Sequence, residues 1–146
     1  MQTVRLTRWA GDRTFADRLV LVLHVGYAFV PLGFLAVGAS LFFDAVPASA
    51  GLHAWTAGAV GLMTVAVMTR ATLGHTGQPL QAGPATQAIY ALVLVAALLR
   101  IVAAFTGSLA LIDTAGAAWI AGFACFILFY GPLLALRKPA WAAARC

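Results

Sequence analysis

Acidic residues are almost missing from this chain. It contains no glutamate and four aspartates, against nine lysines and arginines. Charged residues make up 9% of the 146 residues, whereas soluble domains carry about 25%. Apolar residues reach 63% and the mean hydropathy is +0.96, which excludes a soluble globular domain. The net charge of +5 does not indicate a nucleic-acid partner, because the basic residues flank the apolar runs.

The motifs of common enzymes are also lacking. The sequence has no phosphate-binding glycine loop, no Ser-His-Asp set and no pair of carboxylates. Its two cysteines, Cys125 and Cys146, have no metal-binding spacing and are not expected to form a disulfide. Proton relays in membranes usually use Asp or Glu, so a proton-coupled carrier is disfavoured. Whether the protein is an enzyme is left open by the sequence.

Four apolar runs are present, and each is long enough to cross a bilayer as a helix. The second, Leu52 to Leu73, is about 33 Å long as a helix and contains one charge, Arg70. We therefore predict an all-α, polytopic integral membrane protein with four transmembrane helices in an up-down bundle. The predicted domain is 19–136, flanked by a basic surface segment, 1–18, and a basic tail, 137–146. Its predicted helices cover about 19–43, 52–73, 88–105 and 115–136.

Basic residues alternate between the two sides of this predicted bundle. They occur in the N-terminal segment, at the end of the second helix and in the tail, but not in the other two loops. Since Lys and Arg are enriched in cytoplasmic loops, both termini are predicted to be cytoplasmic.

Ionisable residues inside membrane spans are costly and are therefore functional candidates. His24 lies about 7–8 Å into the first helix and shares a helix face with Tyr27 and Pro31. Neutral imidazole is the commonest metal ligand, so His24 is a candidate for binding a metal or haem iron. The alternative is a histidine hydrogen-bonded to a neighbouring helix. Tyr27 is a candidate cofactor contact on the same face.

The other two histidines lie at opposite ends of the second helix. His75 is about 10 Å from His24 in depth, so the two form a candidate haem pair if the loop 74–79 folds back into the bundle. Otherwise His75 is a helix-end cap. His53 cannot share an iron with His75, because one helix holds them a membrane apart. It is either an interfacial residue or the ligand of a second site.

Two arginines complete the set of candidates. Arg100 lies about 18 Å along the third helix and requires an anionic or carbonyl partner there. No acid falls inside a predicted helix, since Asp44 and Asp113 lie in predicted loops. A haem propionate, a loop aspartate or unwound carbonyls remain as partners. Arg70 is expected either to extend towards lipid headgroups or to contact a cofactor.

The segment from His53 to Leu80, HAWTAGAVGLMTVAVMTRATLGHTGQPL, resembles the signature of the NnrS family in its spaced histidines, its M-T-R and its G-H-T-G. The preceding LHVGYAFVPLGF, Leu23–Phe34, and Arg100 in LLR are similar to the adjoining helices of that family. The resemblance extends from about Trp9 to the fourth helix and so covers most of the chain.

This resemblance implies a multi-pass protein of the bacterial inner membrane that binds b-type haem and copper. It also implies a role in denitrification and in resistance to nitric oxide and nitrosative stress. The family's histidines correspond to His24, His53 and His75, and its arginines to Arg70 and Arg100. The chain looks like a four-helix C-terminal portion or a short relative, which would self-associate or pair with another membrane chain.

Three functions therefore stay open. The first is a haem protein that binds, senses or turns over nitric oxide. The second is a bis-histidine b-type cytochrome that passes electrons from quinol. The third is a non-catalytic membrane assembly subunit, favoured by small-xxx-small pairs such as Ala54–Gly58 and Ala118–Gly122, which allow helices to approach closely.

Overall fold

The computed structural model of the protein describes residues 17–136, which fold into four long helices without any strand in that range. Helix α1 spans Arg18–Ser40, α2 Ala48–His75, α3 Pro84–Thr106 and α4 Leu109–Leu136. All four are long and apolar enough to cross a membrane. The prediction of an all-α protein with four transmembrane helices is confirmed.

The basic N-terminal segment up to residue 16 and the tail 137–146 lie outside the described residues. At the boundary, the Asp17 carboxylate caps α1 by accepting a hydrogen bond from the backbone N–H of Leu19 at 3.0 Å. A side-chain acceptor of this kind satisfies one of the free N–H groups in the first turn of a helix.

Three helices begin earlier than the sequence pattern predicted. α2 begins at Ala48, directly after a proline, and α3 begins at Pro84. A proline is tolerated in the first turn because its missing N–H would have no helical partner there. α4 begins at Leu109, so Asp113, which was predicted to lie in a loop, is an exposed residue inside α4.

The connection between α3 and α4 consists of Gly107 and Ser108 alone. Gly107 has φ +64° and donates its N–H to the Ala103 carbonyl at 2.9 Å, which closes α3 with the left-handed turn that glycine favours. So short a link makes the two helices antiparallel neighbours, and they pack closely against each other.

Helix α2 is the most enclosed of the four. It packs against α1 and α3 over most of its length. In an 18-residue apolar segment of each helix, 44% of the residues are buried in α2, against 22% in α1, 33% in α3 and 17% in α4. The largest fully buried aliphatic side chains of the core come from three helices: Leu19, Leu62, Val65, Ile89 and Val93. The bundle is thus organised around the helix that contains two of the three histidines.

Helices α1 and α2 are tied together next to Pro31, which lies inside α1. The indole Nε1 of Trp55 donates a hydrogen bond to the Val30 carbonyl at 3.0 Å. The indole occupies the space that a Cβ would need at Gly33, and it meets the Phe34 ring edge-on with centroids 4.8 Å apart. α1 continues through the proline, and this contact fixes its position against α2.

Helix α2 is not α-helical throughout. Ala48–His53 and Leu62–His75 are α-helical, whereas the eight residues Ala54–Gly61 between them are π-helical. π-Helices have i→i+5 hydrogen bonds, are rare and frequently occur at functional sites. The sequence pattern did not predict this stretch, which begins directly after His53.

We refer to the two ends of the bundle by one residue each. The Arg18 end holds the first residues of α1 and α3 and the last residues of α2 and α4. The His53 end holds the opposite four helix ends. The distribution of basic residues predicts that the Arg18 end faces the cytoplasm.

Candidate functional site

A cavity of about 520 Å³ lies at the His53 end between α2, α3 and α4. Polar side chains reach it from two helices: His53 and Thr56 from α2, and Arg100 from α3. Ligand sites typically combine an apolar lining with a few convergent polar groups, as this cavity does. Its other lining residues are small or apolar: Ala57, Ala96, Ile112, Ala115, Gly116, Trp119 and Ile120.

Helix geometry explains why His53 and Arg100 share this cavity. α2 and α3 run in opposite directions, so the start of one lies beside the end of the other. His53 is five residues after Ala48 and Arg100 is six residues before Thr106, which gives depths of about 8 Å and 9 Å from the same end. Both side chains line the cavity from their own helices. The two groups form one polar site.

Arg100 has no acidic partner in this cavity. Its side chain is half-buried, and none of the described residues that line the cavity is acidic. Asp113, although next in sequence to the lining residue Ile112, is exposed and is not part of the lining. Because a cation in a membrane span needs an anionic or carbonyl partner, the cavity is suited to a ligand that carries an anionic group.

The wall towards the rest of the bundle is closed by Trp119. Its ring occupies the space that a side chain would need at Gly61, and it packs on Phe123 with ring centroids 5.0 Å apart. Two further wall residues, Ala96 and Ala115, are almost fully buried. Small residues therefore create the space, and a single large ring bounds it.

The cavity opens sideways between α2 and α4. Thr56 and Gly116, on opposite sides of the opening, are both exposed, and Ile120 is 70% exposed. A Cβ added at Gly116 would meet no atom within 4 Å, so nothing in the described chain covers this side. The Thr56 hydroxyl donates to the Leu52 carbonyl at 2.8 Å within its own helix.

The candidates on α1 lie outside this cavity. His24 is half-buried, and its Nδ1 lies 3.0 Å from the Val20 carbonyl oxygen in the same helix. Tyr27 is also half-buried. The contact with Val20 is within α1, and the alternative of a hydrogen bond from His24 to a neighbouring helix stays a prediction.

The candidates at the end of α2 lie at the Arg18 end. His75 is the last residue of α2 and is exposed, as is Arg70. Twenty-two residues separate His53 from His75, a rise of about 33 Å along the helix. The pairing of His24 with His75 stays a prediction. Of the sequence-predicted candidates, His53 and Arg100 are the two that line one cavity.

Sequence reasoning missed two buried hydroxyl pairs that connect helices at the Arg18 end. The Thr69 hydroxyl on α2 is hydrogen-bonded to Tyr90 on α3, and the Thr86 hydroxyl on α3 lies 2.6 Å from the Tyr130 hydroxyl on α4. All four residues are buried. The sequence does show a Thr or Tyr within the apolar run of each helix. Which of these side chains meet depends on how each helix is rotated about its axis, and the sequence pattern does not give that rotation.

A metal site built from several side chains is not present in the described range. Within residues 17–136 no group of three or more His, Cys, Asp or Glu side chains could hold a metal ion. His53 and His75 lie at opposite ends of α2, and Cys125 is a half-buried free thiol. Copper binding by His24, His53 or His75 stays a prediction.

Comparison with known protein families bears on the resemblance seen in the sequence. Residues 1–138 match the family model described as "NnrS protein". No curated protein and no solved structure matches the chain. The family match covers the whole four-helix bundle, including His53 and Arg100.

Proposed function

The chain belongs to the NnrS family, and from this premise we propose that it is a membrane protein that binds haem in the His53 cavity. We further propose that it serves in the handling of nitric oxide and nitrosative stress in denitrification-related metabolism, in the bacterial inner membrane. One observation carries this proposal: the imidazole of His53 and the guanidinium of Arg100 line the same apolar cavity within the membrane spans, and no acidic residue is among the described residues that line it.

The residues at the cavity fit the chemistry of haem. A volume of about 520 Å³ falls within the usual range of cofactor pockets. His53 provides an imidazole of the kind that holds haem iron. Arg100 provides a positive charge for a propionate, and each charge lowers the cost of burying the other. When bound, haem supplies an iron centre for binding diatomic ligands or for electron transfer.

The chain itself performs three tasks in this proposal. His53 contributes the iron ligand, and Arg100 orients the anionic edge of the cofactor by charge and hydrogen bonding. Trp119 and the buried alanines Ala96 and Ala115 exclude water from the apolar part of the cavity. The interaction between Arg100 and an anionic group is stronger where water is excluded than at a protein surface.

The number of imidazoles at the cavity favours ligand binding over electron transfer. Only one histidine, His53, is among the described residues that line it. A b-type cytochrome that passes electrons from quinol would instead use two histidines, and the candidates for that arrangement are His24 and His75. Bis-histidine iron is six-coordinate and would bind carbon monoxide poorly, so the two functions differ in a simple spectrum.

The sideways opening bears on the partners. Because Thr56 and Gly116 leave the cavity exposed between α2 and α4, we propose that a second copy of the chain or another membrane chain covers it. Copper is not included in the proposed site, because a single imidazole with an arginine is not a copper donor set.

The optical spectrum of the purified protein tests this proposal. Protein purified in detergent from haem-replete cells should show a Soret band, and the reduced protein should change its spectrum when carbon monoxide is added. The His53→Ala variant should lose the band. A colourless wild-type protein would overturn haem binding and would favour the assembly subunit. A haem spectrum unaffected by carbon monoxide would favour the bis-histidine cytochrome.

A further inference from the structure

The π-helical stretch Ala54–Gly61 lies between His53 and the α-helical remainder of α2, Leu62–His75. Each π-helical hydrogen bond spans one more residue than an α-helical one. If the same sequence were α-helical throughout, the first turns of α2 would be rotated relative to the rest by about 100°, the angle per residue of an α-helix. His53 would then no longer lie on the side of α2 that faces Arg100.

The local sequence does not favour a π-helix on its own. Three of the eight residues are alanine, which is the strongest α-helix former, and π-helices are rare. In isolation, these residues would therefore gain more from the regular i→i+4 pattern. The wider turns must be stabilised by contacts with other helices.

Trp55 makes the directional contact. Its indole N–H donates to the Val30 carbonyl at 3.0 Å, and the ring lies against Gly33, where a Cβ would overlap it. Because Trp55 is the second residue of the π-helical stretch, this contact fixes the stretch to α1 within two residues of His53.

Two further rings pack against the same stretch. The Phe29 ring of α1 occupies the space of a side chain at Gly58, and the Trp119 ring of α4 does the same at Gly61. These contacts are apolar and hold the middle and the end of the stretch, whereas Trp55 holds its beginning. The rotation of His53 therefore depends most directly on Trp55.

We propose that Trp55 is a positioning residue: by fixing the π-helical stretch to α1, it directs residue 53 towards Arg100. The importance of this role for cofactor binding rests on the proposed function. The direction of residue 53 itself can be measured without any cofactor, because Arg100 places a positive charge beside it.

A single thiol at position 53 provides that measurement. In full-length protein carrying Cys125→Ser and Cys146→Ser, the His53→Cys substitution leaves one thiol. An anionic methanethiosulfonate reagent should label it several-fold faster than a cationic reagent of similar size, because Arg100 attracts the anion. Arg100→Gln should remove this preference. Adding Trp55→Phe, which keeps a ring and removes the N–H, should reduce the preference to the level of Arg100→Gln.

Deletion of Val60 separates positioning from a general structural effect. Val60 is 60% exposed, and removing it takes the extra residue out of the wide turns. The stretch can then be α-helical with position 53 in its original place. The deletion alone should keep the anion preference, and the deletion combined with Trp55→Phe should restore it. Thr72→Val, which removes a hydrogen bond to the Met68 carbonyl elsewhere in α2, is the matched control and should change nothing.

An unchanged preference in Trp55→Phe would overturn the inference, and so would a loss of preference that deletion of Val60 does not reverse. The haem spectrum is independent of these rates. If the rates respond as expected and the wild-type protein is colourless, the positioning role stands and the proposed function fails. If His53 binds haem and the Trp55→Phe substitution leaves the labelling rates unchanged, the proposed function stands and the positioning role fails.

Discussion

The two ends of the bundle are built from the same four helices but are filled differently. At the Arg18 end, large side chains meet and the hydroxyl pairs Thr69–Tyr90 and Thr86–Tyr130 connect three helices. At the His53 end, alanines and glycines leave a cavity of about 520 Å³ that one imidazole and one guanidinium enter. Polar groups therefore stabilise the bundle at one end, whereas at the other end they line a cavity that a ligand can enter.

This difference shows what distinguishes a structural polar group from a functional one in this fold. Each hydroxyl of the pairs Thr69–Tyr90 and Thr86–Tyr130 has a partner on a neighbouring helix, which offsets the cost of burying it. Arg100 at the His53 end lines a cavity without an acidic residue. A polar group that is expensive to bury and has space beside it is the better functional candidate.

The largest expected effect on stability comes from adding a side chain at Gly61, beside the Trp119 ring that bounds the cavity. Gly61→Val should destabilise the protein by about 1–3 kcal/mol, because the new side chain overlaps the Trp119 ring and pushes it into the cavity. Thermal unfolding in detergent measures the change. Gly116→Ala is the matched control, since its Cβ meets open space. An equal loss of stability in both variants would mean that Trp119 is not the wall of the cavity.

Neutralising the cation should affect the cofactor more than the fold. Arg100→Gln should weaken haem retention by about 1.5–3 kcal/mol, the range for a lost hydrogen bond to a charged group, which is roughly tenfold or more. Arg100→Lys should retain part of the affinity because it keeps the charge but not the planar fork of donors. Haem transfer to apomyoglobin gives the rates. Equal retention in all three proteins would remove Arg100 from the site.

The hydroxyl pairs should show the opposite behaviour. Thr86→Val and Tyr130→Phe should each destabilise the protein by about 0.6–1 kcal/mol without changing the haem spectrum. A double-mutant cycle should show that the two losses are coupled. Thr114→Val, which removes an exposed hydroxyl bonded within α4 to the Ala110 carbonyl, should have less effect. A spectral change in the Tyr130 variant would contradict the division of roles between the ends.

The smallest effect is expected at His75. His75→Ala should change stability by no more than about 0.5 kcal/mol, because the residue is exposed at the end of α2. It should also leave the haem spectrum unchanged. Loss of the Soret band in this variant would instead support the pairing of His24 with His75 and would move the cofactor to the Arg18 end.

The architecture was predictable because four apolar runs are separated by more polar segments, each of which contains at least one glycine. The ends of the helices were less predictable. Asp113 resembles a loop residue in sequence, yet it lies in α4 because the turn at Gly107 is already complete after two residues. Pro84 also resembles a loop residue, although its φ suits the first turn of a helix.

The residues of the candidate site were predictable from the sequence, but the fact that they share one cavity was not. His53 and Arg100 were both identified as candidates, and their equal depth from one end could have been counted. Whether they face each other depends on helix rotation, and the π-helical stretch Ala54–Gly61 changes that rotation without a sequence signal. The hydroxyl pairs were missed for the same reason.

The most direct test of this account is the reduced-minus-oxidised spectrum of His24→Ala, His53→Ala and His75→Ala, purified side by side at equal protein concentration. The account predicts that His53→Ala loses the haem spectrum while the other two keep it. A haem spectrum that survives in His53→Ala and disappears in His24→Ala or His75→Ala would contradict the assignment of the cofactor to the His53 cavity.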